Sequence, residues 1–350
     1  MKIMQKCEIS ARAKEMDNQN SLLSFYVCPS NGSSLETSGN GLKGAQQSYP
    51  FLREVDGDIP DFRADDNFSN GGLASLDMYD FDGARTVYRN FLSWMFRTFA
   101  VDEDAFRLDL VSRLNLKPNS RVLITGCGIG DDVFAVQNCL GPEGAIFASD
   151  LAPEMVMSTY DTLTKQAGAG RCQISLSVAN ACNLPFEDGF FDAAFHFGGI
   201  NLFDDVKGAI AEMARVTKNG GRVVFGDEGV APWLRETDYG RMVIANNYLW
   251  AHEAPLGLLP FSAINPSVSW VLGNCFYVVQ FDKSAEGPYI NPDIPHVGRR
   301  GGTMRTRHLG QLEGVDLKLK EEVVKSAAAQ GISVAEWLEK AIENTLGSKP

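Results

Sequence analysis

The chain is expected to be an α/β protein built on a doubly wound, parallel sheet, and three observations predict it. Between residues 121 and 250 short apolar strand-like runs alternate with helix-length segments. The first run, RVLIT, ends in the turn GCGIG, with glycine at positions 126, 128 and 130. The chain of 350 residues is 44% apolar and 22% charged, an ordinary globular mix long enough for a large core.

The elements follow in order. Residues 1–20 are polar and read as a frayed terminus. Residues 21–64 are rich in glycine and serine and close with YPFLREVDGDIPDFR, a compact β-like segment. GARTVYRNFLSWMFRTF (83–99) has apolar residues at helical spacing, and EDAFRLDLVSRLNL follows as a second helix. Strand 121–125 precedes helix 130–140, strand 145–149 precedes helix 152–166, and strand 173–179 comes next. Strand 191–197 precedes helix 204–217, and strand 222–227 precedes helix 232–250. Residues 251–300 are loop-rich and aromatic, and GRRGGTMRTR (298–307) is a basic, glycine-rich linker. VDLKLKEEVVKSAAAQGISVAEWLEKAIENTL (315–346) reads as a short alternating strand, a helix, a turn with Ser333 as N-cap, and a second helix.

Charge and cysteine usage narrow the function classes. A net charge of −12 disfavours nucleic acid and anionic membrane surfaces as partners. No run is long and apolar enough to span a bilayer, and the first residues lack the apolar core of a signal peptide. Seven scattered cysteines (7, 28, 127, 139, 172, 182, 275) suggest reduced thiols and a cytoplasmic protein.

The glycine turn lies where open α/β sheets bind ligands, between the first strand and its helix. A dinucleotide turn spaces its glycines G-x-G-x-x-G; here Asp131 occupies the third place and glycine comes one residue early. No Lys-Ser/Thr pair follows, so the turn is not a phosphate loop. Asp150, 24 residues after Gly126, ends the second strand, where a carboxylate can accept both hydroxyls of a ribose.

Four stretches in order, GCGIGD, FASDLAPEMV, NACNLPFEDGFFDAAF and EMARVTKNGGRVVFGDE, resemble the class I S-adenosylmethionine-dependent methyltransferases of the quinone and sterol methylase branch. The resemblance covers about residues 75–230. It implies a Rossmann-like, mostly parallel seven-stranded sheet with helices on both faces, and S-adenosylmethionine as cofactor. It also implies that Thr125, Gly126, Cys127, Gly128 and Gly130 line the methionine part of the cofactor. Asp150, with Leu151 beside it, would hold the ribose, and Asn180 and Ala181 would border the adenine. Two positions depart from the family: Ile124 stands where an acidic residue is usual before the first glycine, and Asn180 replaces another acid.

A sulfonium is an activated methyl donor, so in-line displacement mainly needs the acceptor held at attack distance. Where a base is needed, His196 at the tip of the fourth strand is the first candidate, with Asp227 and Glu228 behind it. Tyr79 and Tyr88 are placed to close over the cofactor. The aromatic region 231–290 reads as an acceptor cap, with NNYLWAHEAPLGLLPF (246–261) as part of a lid and His196 or His252 as the polar group facing the acceptor.

The N-terminal stretch resembles a zinc-ribbon module that has lost its ligands: Cys28 is kept, while Asn31, Gly44 and Gln47 occupy the other places, so no metal site is expected. The C-terminal stretch resembles a ribbon-helix-helix unit, which would make a DNA-binding homodimer; a helical hairpin is the preferred reading. The expected layout is a flexible terminus (1–20), the zinc-ribbon-like segment (21–74), and a methyltransferase domain (75–300). That domain divides into a cofactor half (75–230) and a substrate cap (231–300), and a linker (301–313) and the tail (314–350) follow. The expected activity is methyl transfer to a small apolar or aromatic acceptor; the alternative is a cofactor-binding regulator with a dimeric DNA-binding tail.

Overall fold

The computed structural model describes residues 22–52, 58–65, 76–165, 172–298, 301–309 and 315–347. Two compact units divide the chain at Pro288 and Tyr289.

In the first unit a small antiparallel sheet comes first, of β1 (Glu36–Thr37), β2 (Gly41–Lys43) and β3 (Ser48–Pro50). Cys28 is buried there, its Sγ hydrogen-bonded to Ser30 Oγ (3.1 Å) and Tyr49 Oη (3.2 Å). Helices α1 (Ala84–Thr98) and α2 (Glu103–Ser112) follow. α1 buries Ala84, Leu92, Met95 and Phe96, one stripe at helical spacing. α2 starts where Asp102 accepts from the Ala105 amide at 2.9 Å.

The main sheet then begins. Its parts are β4 (Arg121–Thr125), α3 (Asp131–Gln137), β5 (Ala145–Asp150), α4 (Pro153–Lys165), β6 (Gln173–Val178), β7 (Phe191–Phe197), α5 (Val206–Val216), β8 (Thr217–Glu228), α6 (Asp238–Asn246), β9 (Ala263–Val271) and β10 (Phe276–Lys283). The strand order is β6-β5-β4-β7-β8-β10-β9. β4 to β8 pair in parallel, and β10 runs antiparallel to both neighbours. The expected doubly wound, mostly parallel seven-stranded sheet is present. The order reverses at β4, so the turns after β4 and β7 open a crevice at the carboxyl edge.

Alternation along the strands builds two cores. Val122 and Ile124 of β4 pack with α1 to α4, whereas Leu123 packs on the other face with α5 and the N-terminal module. Tyr26 of that module is buried, its hydroxyl 2.9 Å from Ser175 Oγ on β6. The segment read as a zinc-ribbon relic thus covers one face of the sheet.

The helix expected over 232–250 is shorter. α6 ends at Asn246, and a separate 3₁₀ turn spans Tyr248–Ala251. Asn247 causes the break: its backbone is extended (φ −149°) and its side chain caps Leu249 N at 3.1 Å.

The second unit contains α7 (Met304–Leu309), α8 (Leu317–Ala329) and α9 (Val334–Gly347). The strand expected from VDLKLK is instead the start of α8. Asp316 accepts from the amides of Lys318 (2.9 Å) and Leu319 (3.4 Å), and Leu, Lys and Glu are strong helix formers. The ribbon of a ribbon-helix-helix is therefore replaced by helix. Gly331, at φ +67°, ends α8, and Ser333 caps α9 through the Glu336 amide at 3.1 Å, as its position predicts.

Candidate active site

The crevice above β4 is the floor of a deep cleft enclosing about 1300 Å³ free of protein atoms, its mouth included. Gly126 and Gly128 form the floor at φ +63° and +55°, values that disfavour any side chain. A Cβ on Gly126 would also stand 2.9 Å from His196 Cε1. Gly130, at φ +95°, starts α3.

Asp150 at the end of β5 lies beside this bare backbone. Its Oδ2 accepts from Gly128 N at 2.9 Å and its Oδ1 from Ala152 N at 3.0 Å. Each oxygen keeps a lone pair for a ligand. Burial raises the Asp150 pKa against the pull of these backbone donors. Leu151, Asn180 and Ala181 continue the wall, and Asn180 Oδ1 accepts from Cys182 N at 2.9 Å. Tyr79 and Tyr88 face each other edge to face at 6.1 Å along the cleft. Burial pushes both phenols well above their usual range, so both stay protonated.

His196 also borders the cleft and is fully buried. Its Nδ1 lies 2.8 Å from the Thr125 carbonyl, which can only accept, so Nδ1 carries the proton. Burial lowers its pKa, leaving a neutral ring whose Nε2 has no hydrogen-bond partner among the described residues. Phe203 packs edge to face on it at 5.0 Å.

The cleft gathers ten of the predicted residues: Tyr79, Tyr88, Gly126, Gly128, Asp150, Leu151, Asn180, Ala181, His196 and Glu228. Five others lie outside its lining. Thr125 is wholly buried beneath it and holds His196. Cys127 points into the core, where Thr159 Oγ1 sits 3.7 Å from its Sγ. Gly130 belongs to the helix start, against Thr159. Asp227 is fully buried, and strand alternation turns its neighbour Glu228 to the cleft instead. His252 is exposed, beyond the 3₁₀ turn that carries it.

The expected lid stretch divides between core and cleft. Trp250 is only 2% exposed and lies in the core, about 6.2 Å from the rings of Trp94, Phe99 and Phe276; the cleft wall takes Leu249 from this stretch.

Sequence reasoning did not find Arg107. Its guanidinium meets Asp132 (2.6 Å), Asp131 (3.4 Å) and Glu103 (2.7 Å) at the cleft wall. Glu103 and Arg107 at i,i+4 on α2 were the available signal; the approach of α2 to α3 was not readable.

The donor set suits S-adenosylmethionine. Bare backbone and a carboxylate sit together at a strand end, and Asp150, Asp204 and Glu228 line one cleft with Arg107. Arg107 is already paired, so the cleft favours a cationic ligand. Apolar rings of Phe91, Phe106, Phe197, Phe203 and Phe276 complete the walls.

Residues 123–225 match the family described as "Methyltransferase domain". The chain is 32% identical to the demethylmenaquinone methyltransferase of Bacillus cytotoxicus, over 34% of this chain and 49% of that protein. It is 36% identical to the ubiquinone/menaquinone biosynthesis C-methyltransferase UbiE of Citrifermentans bemidjiense, over 33% and 48%. The chain thus spans about half the length of the curated relatives it matches. The magnesium protoporphyrin IX methyltransferase of Synechocystis PCC 6803 is similar in structure, with a TM-score of 0.43 and 14% identity over 63% of this chain and 100% of that one. No helix among the described residues is long and apolar enough to cross a membrane. The segment 123–225, which supplies the glycine turn, Asp150 and His196, is similar to methyltransferase domains, and the cleft above it fits S-adenosylmethionine.

Proposed function

We propose that the protein transfers the methyl group of S-adenosylmethionine to a small, neutral, apolar or aromatic acceptor of quinol-like chemistry. One observation carries this reading: a single cleft joins the Gly126–Gly128 floor and Asp150 to a wall of phenylalanines, with acidic groups in place of free cations. The donor supplies an activated methyl group when bound. Asp150 would hold the ribose, the glycine turn would admit the methionine part, and Asn180 and Ala181 would border the adenine. Phe106, Phe197 and Phe276 would exclude water and position the acceptor face. The relatives named for quinone methylation support a ring acceptor.

Turnover of S-adenosylmethionine with a reduced demethylnaphthoquinone, followed by mass spectrometry, tests the activity. A product heavier by one methylene is expected; donor binding without turnover on any neutral aromatic would favour the regulatory alternative. Asp150→Ala is expected to weaken S-adenosylhomocysteine binding by about 1.5–3 kcal/mol, the size of a hydrogen bond to a charged group. Calorimetry giving an unchanged affinity would remove Asp150 from the site.

A further inference from the structure

His196 is fully buried and borders the cleft, and its Nε2 has no hydrogen-bond partner among the described residues. Cε1, the carbon bonded to Nε2, lies against the glycine floor, 2.9 Å from where a Cβ on Gly126 would stand. An acceptor buried without a partner has given up its bond to water for nothing. Such an atom in a ligand cleft points to a partner that arrives with the ligand.

Thr125 decides what that partner can be. Its carbonyl lies 2.8 Å from Nδ1 and has no proton to give, so Nδ1 donates. The Thr125 hydroxyl, at 3.3 Å, is the longer contact. Burial lowers the ring's pKa, against the pull of the Asp227 and Asp132 carboxyls, and the ring stays neutral. Nε2 is therefore a lone pair, able to accept and unable to donate. A hydroxyl satisfies it; a carbonyl or ether oxygen sets lone pair against lone pair.

The ring is covered from the loop after β7. Phe203 packs edge to face on it at 5.0 Å and is itself a half-buried part of the cleft wall. The 3₁₀ turn before it, Ile200–Leu202, is pinned through Asn201. The Asn201 amide donates to Asp227 Oδ2 at 2.6 Å, its Nδ2 donates to the Glu228 carbonyl at 2.8 Å, and its Oδ1 accepts from Tyr277 Oη at 2.9 Å. The backbone of the turn is thus held, and the Phe203 side chain is the part left to turn aside.

We propose that His196 is the acceptor-selecting residue of the cleft: with Phe203 turned aside, Nε2 accepts a hydrogen bond from a hydroxyl of the methyl acceptor and rejects a carbonyl or ether oxygen at that place. This rests on the methyltransferase reading above and names the group of the acceptor that is recognised. The selectivity comes from the tautomer, which a backbone carbonyl fixes.

Two bicyclic probes of nearly equal size test it: α-naphthol offers a hydroxyl, and α-tetralone offers a carbonyl. Each is added at neutral pH to protein saturated with S-adenosylhomocysteine and carrying heavy nitrogen in its histidines, and the ring nitrogens are followed by NMR. The chain has four histidines, and His252, His296 and His308 are exposed and free to exchange tautomers. The locked ring of His196 is therefore recognisable, and His196→Asn, which keeps a donor for the Thr125 carbonyl and removes Nε2, confirms its resonances by their loss. The expected result is a protonated Nδ1 and a bare Nε2 whose resonance moves towards the hydrogen-bonded position with α-naphthol and stays with α-tetralone. By calorimetry the preference for α-naphthol should be roughly five- to 150-fold greater in wild type than in His196→Asn, the cost of leaving a buried polar group unpaired. A proton on Nε2, equal responses to the two probes, or a preference that survives in His196→Asn overturns the proposal. Should His196→Asn fail to fold, the wild-type spectra decide alone. If S-adenosylhomocysteine does not bind, the methyltransferase reading itself fails; if it binds and neither probe does, the proposal falls and that reading stands.

Discussion

Replacing Arg107 with methionine should cost about 3–5 kcal/mol of folding stability at pH 7, the usual loss when one partner of a buried ion pair is removed. The guanidinium is the shared counter-charge of Asp132, Asp131 and Glu103, and the side chains of Arg107 and Asp132 are only 10% and 11% exposed. Methionine keeps most of the packing, so the loss reports the charge left behind. Arg89 also pairs with Asp131 (2.5 Å) and Glu103 (3.3 Å), but Arg107 is the partner that reaches Asp132. Burial holds the Asp132 pKa above its ordinary value even with Arg107 present, and removing the cation raises it further. A raised folded-state pKa means that protonation favours the fold: the stability is present below the unfolded pKa and lost as pH rises through the folded one. The deficit of Arg107→Met should therefore be largest at neutral pH and shrink on acidification, as Asp132 takes up its proton. Urea unfolding at pH 7 and pH 5 checks both statements. A loss that stays constant, or below about 1 kcal/mol, would mean that water reaches these carboxylates.

Trp250→Ala should likewise destabilise by about 3–5 kcal/mol, as for other buried aromatics cut to alanine. Its ring packs among Trp94, Phe99 and Phe276, and its carbonyl accepts from Val230 N at 2.9 Å. Removing it opens a cavity between α1 and the end of the sheet. Leu249→Ala, one residue away, should instead change the cleft with a much smaller stability loss, because Leu249 is exposed in part and lines the wall. Thermal unfolding of both variants, alongside acceptor KM for Leu249→Ala, separates core from wall. Equal melting temperatures would return Trp250 to the lid that its sequence context suggests.

The sequence by itself determined the alternating elements, the glycine turn at the end of the first strand, the carboxylate after the second, and the Ser333 cap. These are local: they follow from apolar spacing, from the backbone freedom of glycine, and from side chains that bond to amides two or three residues away. It also placed seven cleft residues, Gly126, Gly128, Asp150, Leu151, Asn180, Ala181 and His196, since strand ends at one edge of a parallel sheet converge wherever the order reverses. What only the tertiary structure decided is which neighbour in a pair faces the ligand. Asp227 and Glu228 are equivalent in the sequence; the register of β8 against β10, pairing them with Tyr277 and Phe276, turns one under the cleft and the other into it. The same holds for Leu249 and Trp250, where one step along a 3₁₀ turn separates wall from core. Arg107 joined the site because α2 packs on α3, a contact between elements about 25 residues apart that no local pattern encodes. LKLK became helix because Asp316 caps it and no strand among the described residues pairs with it, and alternation alone does not make a strand without a partner.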